Sequence, residues 1–160
     1  MSHPIPSGYH TITPYLVVEG ASEAIDFYRR AFGAEEIVRM AFPRPDGQVK
    51  VGHAELQIGD SRLYLADEFP EHGSRGPNGS SPVTIHLYVT DADAAFGRAV
   101  DAGASVSMPL ADLFWGDRYG KLVDPFGHHW SIAAHMEDLT PEQMQERMAA
   151  AFGKAPCSSE

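Results

Sequence analysis

Apolar and polar positions alternate in two rhythms along this chain, and the same succession of rhythms occurs twice. Residues 16–33 read LVVEGASEAIDFYRRAFG, and residues 87–103 read LYVTDADAAFGRAVDAG. Each stretch passes from an apolar strand through a small polar turn into a helix-spaced pattern and ends on glycine. Val18 aligns with Val89 and Gly33 with Gly103, with one extra residue in the first copy. A repeat of this length predicts two similar supersecondary units, each needing a partner to bury its apolar face. In the first helix Ala24, Ile25, Tyr28, Ala31 and Phe32 fall on one stripe, and Gly33 stands where a left-handed cap closes it. In the second, Ala95, Phe96, Ala99 and Val100 form the stripe and Gly103 ends it. Thr90 or Asp91 supplies its N-cap.

Period-two segments complete each unit. Thr11 to Val18 predicts a strand, and Pro14 inside it points to an edge. Glu36 to Phe42 and Gln48 to Ile58 predict two more, joined by a hairpin at Arg44-Pro45-Asp46-Gly47. In the third strand Ala54, Leu56 and Ile58 share one face, and His53, Glu55 and Gln57 share the other. Gly59-Asp60-Ser61 turns the chain into a fourth strand, Arg62 to Ala66. Residues 67–82, rich in Gly, Ser and Pro, read as a linker. The second unit repeats the order: strand Val83 to Val89, helix, strand Ser105 to Met108, an aromatic connection, strand Tyr119 to Val123, and a turn at residues 124–127 into strand His128 to Ala133. Thr140-Pro141-Glu142 then starts a helix whose stripe is Met144, Met148 and Ala151, expected to pack on the core or on another subunit. The expected organisation is α+β. A single domain covers 8–136, with repeats over 10–67 and 82–135. A C-terminal helical segment follows over 138–152. Residues 1–9 form a loose arm, and 153–160 a disordered tail.

Composition narrows the classes. The formal net charge of −10 disfavours nucleic acid and anionic membrane as partners, and no Lys/Arg cluster is visible. Cys157, in the tail, is the sole cysteine, so no internal disulfide forms. No apolar run is long enough to span a membrane, and MSHPIPSG lacks the basic and apolar regions of a signal peptide. The expectation is a cytoplasmic protein. Nucleophile triads, phosphate loops and dinucleotide fingerprints are absent from the sequence.

Two β-α-β-β-β units, FY and FGA at the end of the first helix, and DPFGH before the last strand resemble the vicinal oxygen chelate (VOC) superfamily. Its members include glyoxalase I, extradiol dioxygenases, fosfomycin-resistance enzymes and bleomycin-binding proteins. TPYLVVEGASEAIDFYRRAFGA, GHAELQIGDSRLYLADE, FWGDRYG and DPFGHHWSIA are similar to its PhnB-like branch. The resemblance implies paired units forming a cup of strands around a small-molecule site, commonly in a homodimer. It does not imply one reaction, because this fold hosts several chemistries.

In metal-using members, His and Glu from the first and last strands of each unit hold a divalent ion. Carried across, those positions fall at Thr13, Tyr64, Thr84 and Ser131. Hydroxyls are weak ligands beside imidazole and carboxylate, so the expected cofactor is none. A displaced divalent site at His53, Glu55 and His86 is the alternative, set against polar residues around a wet cavity or a hydrogen-bonded His–Glu pair. His128 and His129 are neighbours on a strand, so their rings point to opposite faces.

The aromatic inventory is richer. Strand parity puts Tyr15, Tyr64 and Tyr88 on the cup side, while Phe114, Trp115 and Tyr119 surround Asp117 and Arg118. Tyr15, His53, Tyr64, Tyr88, Trp115, Arg118 and Tyr119 are therefore the candidate ligand-binding residues. For Arg118 and Asp117 the competing reading is a salt bridge pinning their loop. Two functions remain. One is a binding module holding an aromatic or amphipathic molecule unchanged. The other is a glyoxalase-like lyase or isomerase, or a dioxygenase-type enzyme, with His86 and Glu55 as catalytic candidates.

Overall fold

The computed structural model describes residues 3–153. The first unit comprises β1 (Tyr15–Val18), α1 (Ala21–Phe32), β2 (Glu35–Pro43), β3 (Val49–Ile58) and β4 (Ser61–Asp67). The second comprises β5 (Thr84–Tyr88), α2 (Ala92–Ala102), β6 (Ser105–Asp112), β7 (Asp117–Val123) and β8 (His129–His135), and α3 (Pro141–Phe152) follows. Each unit builds its own four-stranded sheet, ordered β1-β4-β3-β2 and β5-β8-β7-β6. β1 pairs in parallel with β4, and β5 with β8; the other pairs are antiparallel. The expected α+β fold of two β-α-β-β-β units is what the chain adopts.

Both helices lie on the inner sides of the sheets, where they pack on each other and build one core. Ala21, Ala24, Ile25, Phe27, Tyr28 and Ala31 of α1 are buried, a wider stripe than the sequence pattern marked. The Phe32 ring packs 4.3 Å from Trp130, and Phe27 meets Phe126 edge-on, so α1 of the first unit fills the core of the second. Polar bonds reinforce the seam. The Tyr28 hydroxyl donates to Asp124 Oδ2 at 2.7 Å, and Trp130 Nε1 donates to the same oxygen at 2.8 Å. Asp124 Oδ1 accepts from the Phe126 and His128 amides. His128 Nε2 donates to the Val17 carbonyl at 2.8 Å. Arg98 of α2 donates to the Arg29 and Arg30 carbonyls at the end of α1, and Arg30 returns a bond to the Ala102 carbonyl at the end of α2. Each helix thus caps the other's unsatisfied carbonyls with a cation.

Local chemistry explains the termini. Gly33 takes φ 67° and donates to the Arg29 carbonyl, as a left-handed cap should. Asp67, buried in the core, accepts from the Gly20 and Ala21 amides at the start of α1 and from Val51. Of the two N-cap candidates for α2, Asp91 is the one used, accepting from the Ala94 amide at 3.0 Å.

Several elements depart from expectation. The first strand begins at Tyr15, not Thr11. Pro14 still accepts from the Tyr64 amide but has no N–H with which to carry the ladder further back. β6 runs on to Asp112, because a register shift between Met108 and Ala111 accommodates Pro109. Val100 is exposed, and Ala92, outside the expected stripe, is buried. The 67–82 linker is tethered: it contains a 3₁₀ turn at Pro70–His72 and a bridge between Phe69 and Ser74. α3 does not pack on the core, and none of its residues is buried. Its capping box at Thr140 and Gln143 is made locally. An Arg147–Glu137 ion pair and an edge contact between Phe152 and Phe114 also hold it. Of the disordered tail expected over 153–160, residues 154–160, with Cys157, lie outside the described residues.

Candidate functional site

The outward face of each sheet, opposite the helices, carries a cluster of aromatic rings and histidine. On the first sheet, β1 supplies Tyr15, β3 supplies His53 and Glu55, and β4 supplies Tyr64, which lies in register with both Tyr15 and Glu55. The Tyr15 hydroxyl bonds His53 Nδ1 at 2.9 Å, and His53 Nε2 donates to Glu55 Oε1 at 3.2 Å. Tyr15 and His53 both meet Tyr64 edge-on. Burial pushes the Tyr15 phenol up, with help from Tyr64.

One further residue joins this cluster. Tyr9, in the arm read as loose, donates its hydroxyl to Glu55 Oε2 and sets its ring edge-on to Tyr64. The Arg62 guanidinium lies 5.3 Å from the Tyr9 ring centre. The Tyr9 bond, then the His53 bond, hold the Glu55 carboxyl below the usual carboxylate range. Glu55 in turn raises the Tyr9 phenol. The only signal for Tyr9 in the sequence is an aromatic residue beside glycine in a polar arm.

On the second sheet, Tyr88 of β5 and Tyr119 of β7 flank His86. The His86 ring is 4.6 Å from Tyr88 and stacks on Tyr119 at 5.9 Å. His86 Nδ1 bonds the hydroxyl of buried Ser131 at 2.7 Å. Trp115 meets Tyr119 edge-on and donates Nε1 to Asp117. Asp117, only 5% exposed, also accepts from the Tyr88 hydroxyl and from His135 Nδ1. Its charge raises the Tyr88 phenol. His135 donates its other nitrogen to Asp138, and these two bonds raise the imidazole above its ordinary value, Asp138 contributing more. Gly116 makes the turn before β7 possible. Its φ is 94°, and a Cβ there would sit 2.7 Å from the Glu137 carbonyl oxygen. The Asp117–His135 pair joins residues far apart in sequence, and the sequence reading missed it.

Arg118 is not with the aromatic cluster. It reaches toward α2, where Asp93 grips it through both oxygens at 2.7 and 2.8 Å and Asp112 adds a third bond. Arg118 does form a salt bridge, but with Asp93 and Asp112 and not with its neighbour Asp117, which bonds Tyr88, Trp115 and His135 instead. Trp130 is fully buried, and Ile132 beside it, as strand parity expects. Among the described residues, no three His, Cys, Asp or Glu side chains stand close enough together to hold a metal ion. His53 and Glu55 bond each other, while His86 bonds Ser131 on the other sheet. The displaced triad is not assembled within one chain.

A cavity of about 570 Å³ opens between the units, lined by the β3–β4 turn and Arg62 of the first and by His86 and Tyr88 of the second, while Tyr15, His53, Glu55 and Tyr64 lie outside it. Ile12, Pro14 and Ile85 give it apolar walls. The sequence profile of the Glyoxalase/Bleomycin resistance protein/Dioxygenase superfamily matches residues 8–132, and the chain belongs to this superfamily. An uncharacterised protein of Mycobacterium bovis is 46% identical over 144 residues, covering 87% of this chain and 92% of its own. A crystal structure of a protein from Pseudomonas aeruginosa superposes with TM-score 0.64 at 29% identity, covering 80% of this chain and 99% of the other. A Bacillus cereus structure described as a PhnB protein and putative 3-demethylubiquinone-9 3-methyltransferase gives TM-score 0.63 at 20% identity, with coverage of 78% and 99%, a likeness of fold alone. No helix among the described residues is long and apolar enough to cross a membrane.

Proposed function

We propose that this protein binds a small aromatic or amphipathic molecule on its outward sheet faces and releases it chemically unchanged, without a divalent metal at the superfamily's usual positions. It belongs beside the PhnB-like branch and works in the cytoplasm as a homodimer that covers the open faces. The observation that carries the reading is the pair of aromatic–histidine clusters on surfaces that a single chain leaves open. Tyr88 is 66% exposed and Tyr15 53%, unusual values for large apolar rings gathered in a patch. The metal positions support it as well. Ser131 spends its hydroxyl on His86, Tyr64 is boxed by aromatic rings, and Thr84 and Thr13 offer only hydroxyls. This donor set does not suit a divalent ion. The absence of any disulfide partner for Cys157 fits a reducing compartment.

The enzyme reading loses support at Glu55. A general base works best with a pKa near the operating pH, and Glu55 is shifted the other way. The test is equilibrium dialysis of the purified protein against a panel of aromatic amphiphiles, with mass spectrometry of the recovered ligand. Elemental analysis runs in parallel on wild type and on His53→Ala/His86→Ala. Stoichiometric binding, intact ligand and no bound transition metal are expected. Turnover of a panel member, or a near-stoichiometric metal lost in the double variant, would replace this reading with the enzyme.

A further inference from the structure

Tyr9 is the sole half-buried residue between 3 and 12; its neighbours in the arm are exposed. The arm belongs to no strand or helix, and apart from Tyr9 its side-chain attachment to the first sheet is a bond between His10 and the Asp60 carbonyl. Yet the Tyr9 ring is recognised on three sides at once: Glu55 accepts its hydroxyl, Arg62 lies over its face, and Tyr64 meets it edge-on. A tethered ring so placed occupies the site as a ligand would. We propose that the first sheet's outward face is a binding site for phenols, with Glu55 accepting the ligand hydroxyl and Arg62 covering the ring, and that Tyr9 fills it until a ligand displaces the arm. This rests on the ligand-binding reading above and names the chemical class for one of its two faces.

Arg62 explains why the arm can leave. With the arm in place, its Nε and Nη1 are buried and have no hydrogen-bond partner among the described residues. Buried unpaired donors are unfavourable, more so on a cation. The strapped state therefore holds its ring against an opposing cost, which swinging the arm away relieves by readmitting water or a ligand acceptor. The carboxylate supplies selectivity. An aromatic ring without a hydroxyl leaves Glu55 with one donor fewer, whereas a phenol restores the bond.

The probe is p-cresol, which reproduces the tyrosine side chain, with toluene as the ring lacking the hydroxyl. Binding is followed by titration calorimetry and ligand-observed NMR on full-length wild type, Tyr9→Ala and Tyr9→Ala/Glu55→Leu. p-Cresol is expected to bind Tyr9→Ala at one site and at least tenfold more tightly than wild type. Toluene should bind that variant at least tenfold more weakly than cresol, and Glu55→Leu should remove the difference between the two. Equal cresol affinity in wild type and Tyr9→Ala, or no preference over toluene, overturns the proposal. Should Tyr9→Ala fail to fold, ¹³C-tyrosine spectra of wild type decide: saturating cresol must move the Tyr9 ring signals, and unmoved signals overturn the proposal. Panel ligands that bind wild type and alter Trp115 fluorescence while cresol fails would sink this inference and leave the broader function standing.

Discussion

Glu55 accepts from the Tyr9 hydroxyl and from His53, and these two bonds outweigh the desolvation that opposes its charge. In Tyr9→Phe the Glu55 carboxyl should titrate closer to the ordinary glutamate value of about 4.3, read from its ¹³C shift. The sign for stability is that of a depressed acid: the contribution is present above the unfolded-state pKa and is lost as pH falls through the lower folded value. The melting-temperature gap between wild type and Tyr9→Phe should therefore close on acidification below about pH 4. His135 behaves oppositely. Both its nitrogens donate to carboxylates, so its folded pKa lies above the unfolded value of about 6.5. Its contribution is complete below that unfolded value and is lost as pH rises through the folded one. Wild type should lose more melting temperature than His135→Asn on going from pH 6 to alkaline pH, and parallel profiles would contradict the ion-paired imidazole.

Among the elements, α1 carries most of the connection between units, and its Tyr28 is the test point. Tyr28→Phe removes one donor to a buried carboxylate that keeps three others, so it should cost about 1–2 kcal/mol in urea denaturation with an unchanged slope. Asp124→Ala strands the Tyr28 hydroxyl and the Trp130 indole N–H in the core and frees the turn amides, so it should cost more than about 3 kcal/mol. What the sequence disclosed about these elements was local. The α1 stripe, the Gly33 cap, the Asp-Gly hairpin and the alternation in β3 each depend on residues a few positions apart, and the repeat itself revealed the topology. What it concealed was relational. Tyr28 and Asp124 meet in the core but lie 96 residues apart in sequence, and no periodicity links them. Arg118 sits beside the aromatic residues in sequence, but strand parity turns it toward Asp93 on α2. Tyr9 looked like part of a loose arm because its anchor, Glu55, lies two strands away. Met144 and Met148 show an apolar stripe, but a stripe says only that a helix can be covered, not that this chain covers it.

At the scale of the whole molecule, the two sheets leave two kinds of surface open. β1 and β2 of the first sheet and β5 and β6 of the second are edge strands, each hydrogen-bonded to a strand on one side only. The outward faces carry Val38 and Met40 beside Glu55 and His53, and Met40 is 56% exposed. Large exposed apolar patches rimmed by polar groups mark interaction surfaces, and a second copy of the chain is the partner proposed here. Wild type should sediment at twice the chain mass at micromolar concentration. Met40→Glu places a charge on that face without touching the helix-side core, so it should lower the dimer fraction at least tenfold while leaving the far-UV spectrum unchanged. Binding gives the second readout. If the partner completes the cup, ligand and dimer stabilise one another by mass action, and saturating ligand should shift the dimer dissociation constant downward. Met40→Glu should then weaken panel ligands as well as the dimer. A monomeric wild type that binds the same ligands with undiminished affinity would show instead that one sheet face suffices, with the arm and Tyr9 rather than a second copy closing it.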